Sequence, residues 1–434
     1  MQWSKYNIKM KAESGGFLLY NAGSGSLIHI DDDTGLLLDE IMANPNKDFS
    51  VSPTLYFDLR LGGFLVEDGA DTDFVNVLKM RRLVQSYSES QLLLTIAPTR
   101  DCNFACSYCY EQNRTPSEMS NDTEDRLVEF IRKHHLVKRI NITWYGGESL
   151  LVFERMRSLN KKIASLGVAY ESQIITNGYC LTADVIRSLD ELKVSRIQVT
   201  IDGTETTHDK RRFLKCGSPT YDKIVGNIHT LMHSGWDGTL NVRVNIDKQN
   251  YYEFADVHRF FQQAYSQKFG SQLNVYPGFV SNTKGDCSNH FTSRDKGEFL
   301  VDLSKNFGIN PFSLFPHMTM GGCTMTRKNA YVIGPDGELY KCWRDFGDRE
   351  RVTGSLDGSF SKNASLVAAG MIGASYLHDA RCEKCRFFPI CDGGCSKIRM
   401  LNKRDNGTRD TCTYFKYSMN ELLEMHFNQS RANV

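Results

Sequence analysis

The rhythm of apolar and polar positions changes twice along this chain. Residues 1 to about 90 open with short strand-like pieces, "YNIKMKA", "GFLLYNA" and "SLIHI", separated by Gly, Ser and Asn turns. "TGLLLDEIMA" and "SPTLYFDLRLGG" then read as short helices and "GFLVED" as a returning strand. Small strands around short helices predict a winged-helix-like module. "DFVNVLKMRRLVQSY" reads as a linking helix, with Phe74, Val77, Leu78 and Met80–Leu83 giving a partial helical stripe.

From residue 91 to about 280, strand and helix patterns alternate. "LLLTIAP" is a buried strand, and "INITW", "IQVTI" and "LNVRVNI" alternate apolar with polar positions. In "YDKIVGNIHTLM", Tyr221, Ile224, Val225, Ile228, Leu231 and Met232 fall at helical spacing. This alternation predicts a parallel sheet, open or barrel-like, with its chemistry on loops at the carboxyl ends of strands. From 281 to 434 the alternation stops. Cys, Gly and aromatic residues predict a loop-rich region with few regular elements, cross-linked by metal clusters. The expected domains are therefore 1–90, 91–280 and 281–434.

Composition adds three exclusions and one anomaly. The 434 residues, 41% apolar and 24% charged, describe an ordinary globular protein of formal charge +1. No basic face is forecast, so nucleic acid is not an expected partner. No run is long enough to span a membrane, and "MQWSKYNIKM" has no signal-peptide pattern, so a cytoplasmic location is expected. The anomaly is thirteen cysteines. In a reducing compartment these favour metal ligation over disulfides.

Three of them stand in "CNFACSYCYE": Cys102, Cys106 and Cys109, spaced CxxxCxxC after the first strand of the alternating region. Three thiolates do not close a tetrahedral zinc site, and no fourth ligand is close. On a four-iron cluster they leave one iron open to a small molecule. The stretch resembles the signature of radical S-adenosylmethionine (radical SAM) enzymes. The resemblance implies a partial (β/α)6 TIM barrel, a 4Fe–4S cluster whose unique iron binds SAM, and a 5′-deoxyadenosyl radical that abstracts hydrogen. It also implies that Tyr108 packs on adenine. "YGGES" is similar to the family's GGE motif, which places the Gly146 and Gly147 backbone and the Glu148 carboxylate at the methionyl ammonium. "TNG" (residues 176–178) ends the third strand as in relatives. "TIDGTETTHDKRR" resembles an SxDG…HDxxR pattern, with Thr200 in the serine's place and Arg212 at the SAM carboxylate. His208 and Asp209 read as a helix cap or surface pair.

Seven more cysteines follow in a fixed order. Cys323 precedes "GPDGELYKC", which ends at Cys342. "CEKCRFFPICDGGC" holds Cys382, Cys385, Cys391 and Cys395, and Cys412 closes the set. A zinc reading of the CxxC part is possible, although seven thiols do not divide into four-ligand sites. The order is similar to the SPASM domain, a twin-cluster appendage of radical SAM enzymes. By that resemblance Cys323, Cys342 and Cys395 hold auxiliary cluster I, and Cys382, Cys385, Cys391 and Cys412 hold auxiliary cluster II. Three options stand for the fourth ligand of cluster I: Cys287, His317, or an open iron, with Cys287 favoured. Cys180 and Cys216 read as packing residues, and Trp343, Phe387 and Phe388 as walls around the clusters.

SPASM-bearing enzymes mostly modify peptides. A winged-helix-like module ahead of the barrel resembles the leader-binding element of enzymes that mature ribosomally made peptides (RiPPs), where a leader adds a strand to the module's edge. The expected function is therefore an oxidoreductase-type RiPP maturase. It would carry three 4Fe–4S clusters and SAM and install a crosslink, thioether or epimerised centre in a precursor peptide. Its electrons would come from a small donor such as flavodoxin or ferredoxin. The alternatives are an anaerobic sulfatase-maturating enzyme that makes formylglycine, and a non-catalytic iron–sulfur electron carrier. The GGE and HDxxR matches argue against the carrier, which needs no SAM pocket.

Overall fold

In a computed structural model of the chain, residues 1–44, 53–111, 115–281, 289–358 and 363–432 are described. They form two compact units. One comprises residues 1–86, 292–326 and 372–434, the other residues 87–291 and 327–371.

The amino-terminal region follows the predicted order. Strands β1 (Gln2–Trp3), β2 (Asn7–Lys11), β3 (Phe17–Asn21) and β4 (Leu27–Ile30) precede α1 (Asp32–Ala43) and α2 (Pro53–Leu61). Strand β5 (Leu65–Val66) returns to pair antiparallel with β1, and α3 (Ala70–Tyr87) follows. Strands β2, β3 and β4 form an antiparallel sheet in that order. Strand β3 is buried on both faces because its side chains alternate. Leu19 packs with Leu38, Ile41, Leu59 and Phe64. Leu18 and Tyr20 pack with Tyr6, Ile8, Val75 and Leu78, and also with Phe388, Phe415 and Leu422 from the carboxyl-terminal part. Asp31 caps α1 by accepting the Thr34 N–H at 2.7 Å.

The second unit is the barrel. Strands β6 (Gln91–Ile96), β7 (Arg139–Trp144), β8 (Ala169–Thr176), β9 (Val194–Ile201), β10 (Thr239–Ile246) and β11 (Leu273–Phe279) run parallel, each next to its predecessor. The crossovers carry α4 (Asn121–Lys133), α5 (Phe153–Ala164), α6 (Ala183–Arg187), α7 (Glu205–Arg211), α8 (Tyr221–Met232) and α9 (Phe254–Phe269). Period-2 alternation sorts the strand residues. In β10, Leu240, Val242, Val244 and Ile246 are fully buried, while Arg243 and Asn245 line a cleft.

The carboxyl-terminal part holds more regular structure than its composition predicts. Helix α10 (Ser293–Phe307) begins with a Thr292/Asp295 capping box and buries Phe299, Leu300 and Leu303. Strand β12 (Ala330–Ile333) joins the barrel sheet parallel to β6, and β13 (Glu338–Tyr340) and β14 (Gly354–Ser355) extend it antiparallel. Helices α11 (Ala364–Ala368), α12 (Ala380–Glu383), α13 (Ser396–Asp405) and α14 (Phe415–Ala432) complete the chain. Helix α10 packs along α14. The expectation of few regular elements is therefore corrected: helices of 15, 10 and 18 residues, the last kinked at Ser418, occupy the region, because apolar spacing persists there, as in Phe299, Leu300 and Leu303 before Cys323 and Met419, Leu422 and Leu423 after Cys412.

Candidate functional site

The carboxyl ends of the barrel strands open on a cleft of about 550 Å³. Its wall is built from the loops after β6, β7 and β8 and from the last turns of β9 and β10, as a parallel sheet requires. Cys102, Cys106, Tyr108, Cys109, Gly146, Gly147, Glu148, Thr200 and Arg212 all line it. Main-chain bonds hold the cysteine loop along the segment after α7: Ala105 N–H donates to Phe213 O at 2.9 Å and Lys215 N–H to Asn103 O at 2.9 Å. This brings Arg212 beside the three thiols. Burial pushes the Cys102 thiol up to about 12, with Glu148 adding to the effect. Metal binding removes such protons outright.

The GGE turn lies against the same loop. A Cβ on Gly147 would sit 2.1 Å from the carbonyl oxygen of Asp101, so only glycine fits there. Glu148 N–H donates to that oxygen at 2.8 Å. The Glu148 side chain turns inward and is 2% exposed. Its carboxylate accepts the N–H groups of Leu150 (3.0 Å) and Asn177 (2.7 Å) and the Thr176 hydroxyl (2.8 Å). Burial raises its pKa against those three donors. Glu148 thus ties the loop after β7 to the TNG turn after β8. Asn177 continues the tie, donating to the Asn103 side chain at 2.8 Å.

A second network fixes Tyr108 and Arg212. The Tyr108 hydroxyl donates to Asp202 at 2.8 Å and accepts from Arg212 Nη1 at 2.8 Å and Asn245 Nδ2 at 3.1 Å. Asp202 is fully buried and also accepts from Arg211 Nε at 3.0 Å, while Arg211 Nη2 reaches Asp247 at 2.9 Å. Arg212 stays cationic, because Tyr108, Cys106 and Asp202 outweigh the cost of its burial. Its Nε is buried with no partner among the described residues. An orphaned guanidinium donor facing a thiol-lined cleft suits a bound carboxylate. Three thiols, two close-approach glycines and this donor fit a 4Fe–4S cluster with SAM.

His208 and Asp209 take structural roles. Asp209 caps α8, accepting the Thr220 and Tyr221 N–H groups at 2.7 and 2.9 Å. His208 is fully buried rather than on the surface. Its Nδ1 accepts the Asp202 N–H at 3.3 Å and its Nε2 meets the Thr220 hydroxyl at 3.1 Å, which fits the neutral Nε2–H tautomer. Burial, then Arg212, lowers its pKa from 6.5 to about 3. Cys180 is partly buried, whereas Cys216 is exposed, hydrogen-bonded to Ser218 rather than packed.

Several lining residues have no sequence motif. Asn245 orients Tyr108 and accepts from Arg243 Nε at 2.8 Å. Gly278 on β11 leaves room for that guanidinium, since a Cβ there would lie 2.3 Å from Arg243 Nε. Gln198 completes this set, and Asn177 of the TNG turn, Tyr145 beside the GGE turn and Trp343 close the wall, the Tyr145 and Trp343 rings lying 4.9 Å apart. The available signal was the inner half of each barrel strand's alternation.

In the other unit, Cys382, Cys385, Cys391 and Cys412 line one pocket of about 410 Å³, walled in part by Phe387 and Phe388. Arg399 Nη1 lies 3.8 Å from the Cys382 sulfur and Lys416 Nζ 3.7 Å from the Cys412 sulfur. Cys323 and Cys395 belong to this unit and act on each other electrostatically. Cys342 follows β13 in the barrel unit. Cys287 lies outside the described residues. His317 is exposed, 3.3 Å from the Ser313 hydroxyl. No three His, Cys, Asp or Glu side chains among the described residues close on a single ion, which a cluster with one thiolate per iron does not ask.

Residues 96–261 match the radical SAM superfamily profile. Residues 96–261 thus carry a radical SAM domain, the domain of radical SAM enzymes. Such enzymes use a 4Fe–4S cluster and SAM, and the electron-carrier alternative is set aside. The serine-type anaerobic sulfatase-maturating enzyme of Bacteroides thetaiotaomicron is 24% identical over 392 residues, 77% of this chain and 91% of that protein. The cysteine-type enzyme of Clostridium novyi is 24% identical over 362 residues, 75% and 93% of the two chains. The solved structure of anSMEcpe with bound AdoMet shares the fold at a TM-score of 0.58 and 18% identity, covering 78% of this chain and 97% of that one. Streptococcus suis SuiB with S-adenosylmethionine shares it at 0.52 and 15%, covering 95% and 99%. No helix among the described residues is long and apolar enough to cross a membrane.

Proposed function

We propose that this radical SAM enzyme is a RiPP maturase. In this reading residues 1–90 bind a precursor's leader, 91–280 are the catalytic barrel, and 281–434 are a SPASM domain with two auxiliary 4Fe–4S clusters. The observation that carries the reading is coverage. The sulfatase-maturating relatives leave about a quarter of this chain unmatched, whereas SuiB matches 95% of it. A further SuiB structure, bound to its precursor peptide SuiA, covers 91% of this chain at a TM-score of 0.50.

The amino-terminal sheet offers a route for recognition. Strands β2 and β4 are its two edges, and β4 is the more open, with His29 exposed and Leu27 and Ile28 half-buried. A leader could add there as a further strand, its main chain supplying affinity and its side chains register. In the cleft, Cys102, Cys106 and Cys109 would hold the SAM cluster, and Arg212, held by Tyr108, would take the SAM carboxylate. Thr200 and the Gly146–Glu148 turn would line the rest of the cofactor. Bound there, cluster and SAM would supply hydrogen-atom abstraction from a peptide carbon. The chain's own residues orient the cofactor and, through Tyr145 and Trp343, narrow access to it. A cytoplasmic donor such as flavodoxin or ferredoxin would supply the electron.

The sulfatase-maturating reading keeps one specific support, the sequence identity just described. A single experiment separates the two. Reconstituted enzyme, SAM and reductant are incubated with the product of a short open reading frame adjacent to this gene, and separately with a sulfatase-motif peptide. Mass spectrometry and aldehyde labelling then read the products. A modified precursor without aldehyde is expected. Aldehyde on the sulfatase peptide, with the precursor untouched, would replace this reading with the alternative.

A further inference from the structure

Arg82 sits in the middle of α3, within a stretch whose sequence reads as a plain linking helix. It is 2% exposed. Its guanidinium donates only to carbonyls: Nε and Nη2 to Thr319 O at 3.1 and 2.9 Å, and Nη2 to Phe388, Pro389 and Cys391 O at 3.1, 2.9 and 3.2 Å. The Tyr376 and Phe388 rings face it at 5.2 and 5.0 Å. Nη1 is buried with no partner among the described residues. No carboxylate of the described residues forms an ion pair with it, and Asp392 and Cys391 act on it only through space. A buried guanidinium held by dipoles alone lacks the countercharge that such burial requires.

The acceptors show where that countercharge belongs. Phe388, Pro389 and Cys391 form the chain leading into one cysteine of the four-cysteine pocket. Four thiolates on a 4Fe–4S core make a net anion. A second orphan points the same way: the Tyr6 hydroxyl is buried without a partner, within electrostatic reach of Arg82 and Cys385. We propose that Arg82 is the counter-cation of the cluster held by Cys382, Cys385, Cys391 and Cys412, and that it raises that cluster's reduction potential. The inference rests on the auxiliary-cluster part of the reading above, not on the identity of the peptide.

Two other cations touch the pocket but are placed differently. Arg399 lies beside Cys382, yet its charge is paired with Asp379 at 2.8 Å. Lys416 reaches Cys412 from an exposed position, where water screens it. Arg82 is both buried and unpaired, so its field acts through a low-dielectric interior. Lys79, one turn before it, pairs with Glu383 at 2.5 Å and holds the same helix face on the cysteine segment. Arg82 is thus a positioning residue for the cluster loop and an electrostatic one for the cluster.

The test uses protein with Cys102, Cys106 and Cys109 changed to Ala, so that only the auxiliary clusters report. Arg82→Lys keeps the charge, and Arg82→Met removes it. Iron content and an EPR-monitored potentiometric titration are measured for each. Arg82→Lys should keep its iron and titrate near the parent. Arg82→Met should titrate lower, with at least about a tenfold fall in the reduced-to-oxidised ratio at the parent midpoint, about 59 mV for one electron. Loss of iron from Arg82→Met alone would support the same conclusion. Parent-like titration of an iron-replete Arg82→Met protein, or equal iron loss from both variants, would overturn it. If Cys382→Ala/Cys385→Ala removes no iron from the parent, the cluster reading itself fails, a separate outcome.

Discussion

The cleft at the strand ends and the four-cysteine pocket both gather thiols, yet they are built in opposite ways. In the cleft nearly every wall residue hangs from the end of a strand in one ladder, and the charges are largely answered by the protein. Asp202 meets two arginines and Tyr108, and Glu148 meets three donors. In the pocket the supports come from residues as far apart in sequence as Arg82, Thr319 and Cys391, and a buried cation is left unanswered. A strand ladder can preorganise a site before its cofactor arrives. A pocket assembled from distant loops needs its cluster to complete it.

The contrast breaks most completely through the cysteines. Changing Cys102, Cys106 and Cys109 together to Ala should abolish 5′-deoxyadenosine formation under reductant while leaving auxiliary iron in place, as read by product chromatography and iron analysis. Next comes Glu148→Gln. The amide keeps one acceptor oxygen, so its NH2 would face the N–H of either Leu150 or Asn177, at a cost of about 1–3 kcal/mol for the unpaired group. SAM turnover should fall by about 10–100-fold and the thermal midpoint should drop. Retention of both would show that the tie between the two loops is dispensable.

Arg212→Lys should be milder. A lysine cannot hold Tyr108 and still offer the second donor of a planar fork, so the KM for SAM should rise by about tenfold with the cluster intact. The smallest effect concerns His208. Its folded pKa is about 3 against 6.5 in the open chain, so the unfolded state takes up the proton first as pH falls. Stability is therefore complete above about pH 6.5 and declines toward pH 3, by at most about 1.4 kcal/mol per pH unit. His208→Gln should flatten this part of the slope in denaturant titrations at pH 7 and 6. An unchanged slope would remove His208 as its source.

Legibility in the sequence divided along physical lines. Cys102, Cys106, Cys109, the GGE turn and Arg212 could be picked out because each stands in a motif of adjacent residues, and the structure brings them to one cleft. Asn245, Arg243 and Gln198 could not, since each is one polar residue in an alternating strand and only the assembled sheet reveals which face lines the cleft. Helices α10 and α14 have helical apolar spacing of their own, which the Gly- and Cys-rich segments around them obscured. Nothing local to Arg82 marks its carbonyl partners more than 200 residues away. The amino-terminal strands read correctly as elements. Their shared core with Phe388, Phe415 and Leu422 is a long-range fact that no window contains. It also means that deleting residues 1–86 would strip the cysteine pocket of packing, so point changes on β4 test leader binding more cleanly.

The most direct test of where the radical chemistry resides is 5′-deoxyadenosine formation by a Cys382→Ala/Cys385→Ala protein that retains Cys102, Cys106 and Cys109. SAM cleavage without peptide should persist at close to the parent rate, because every group proposed to meet SAM lines the cleft. Loss of cleavage in protein whose cleft cluster is intact by EPR would contradict that assignment.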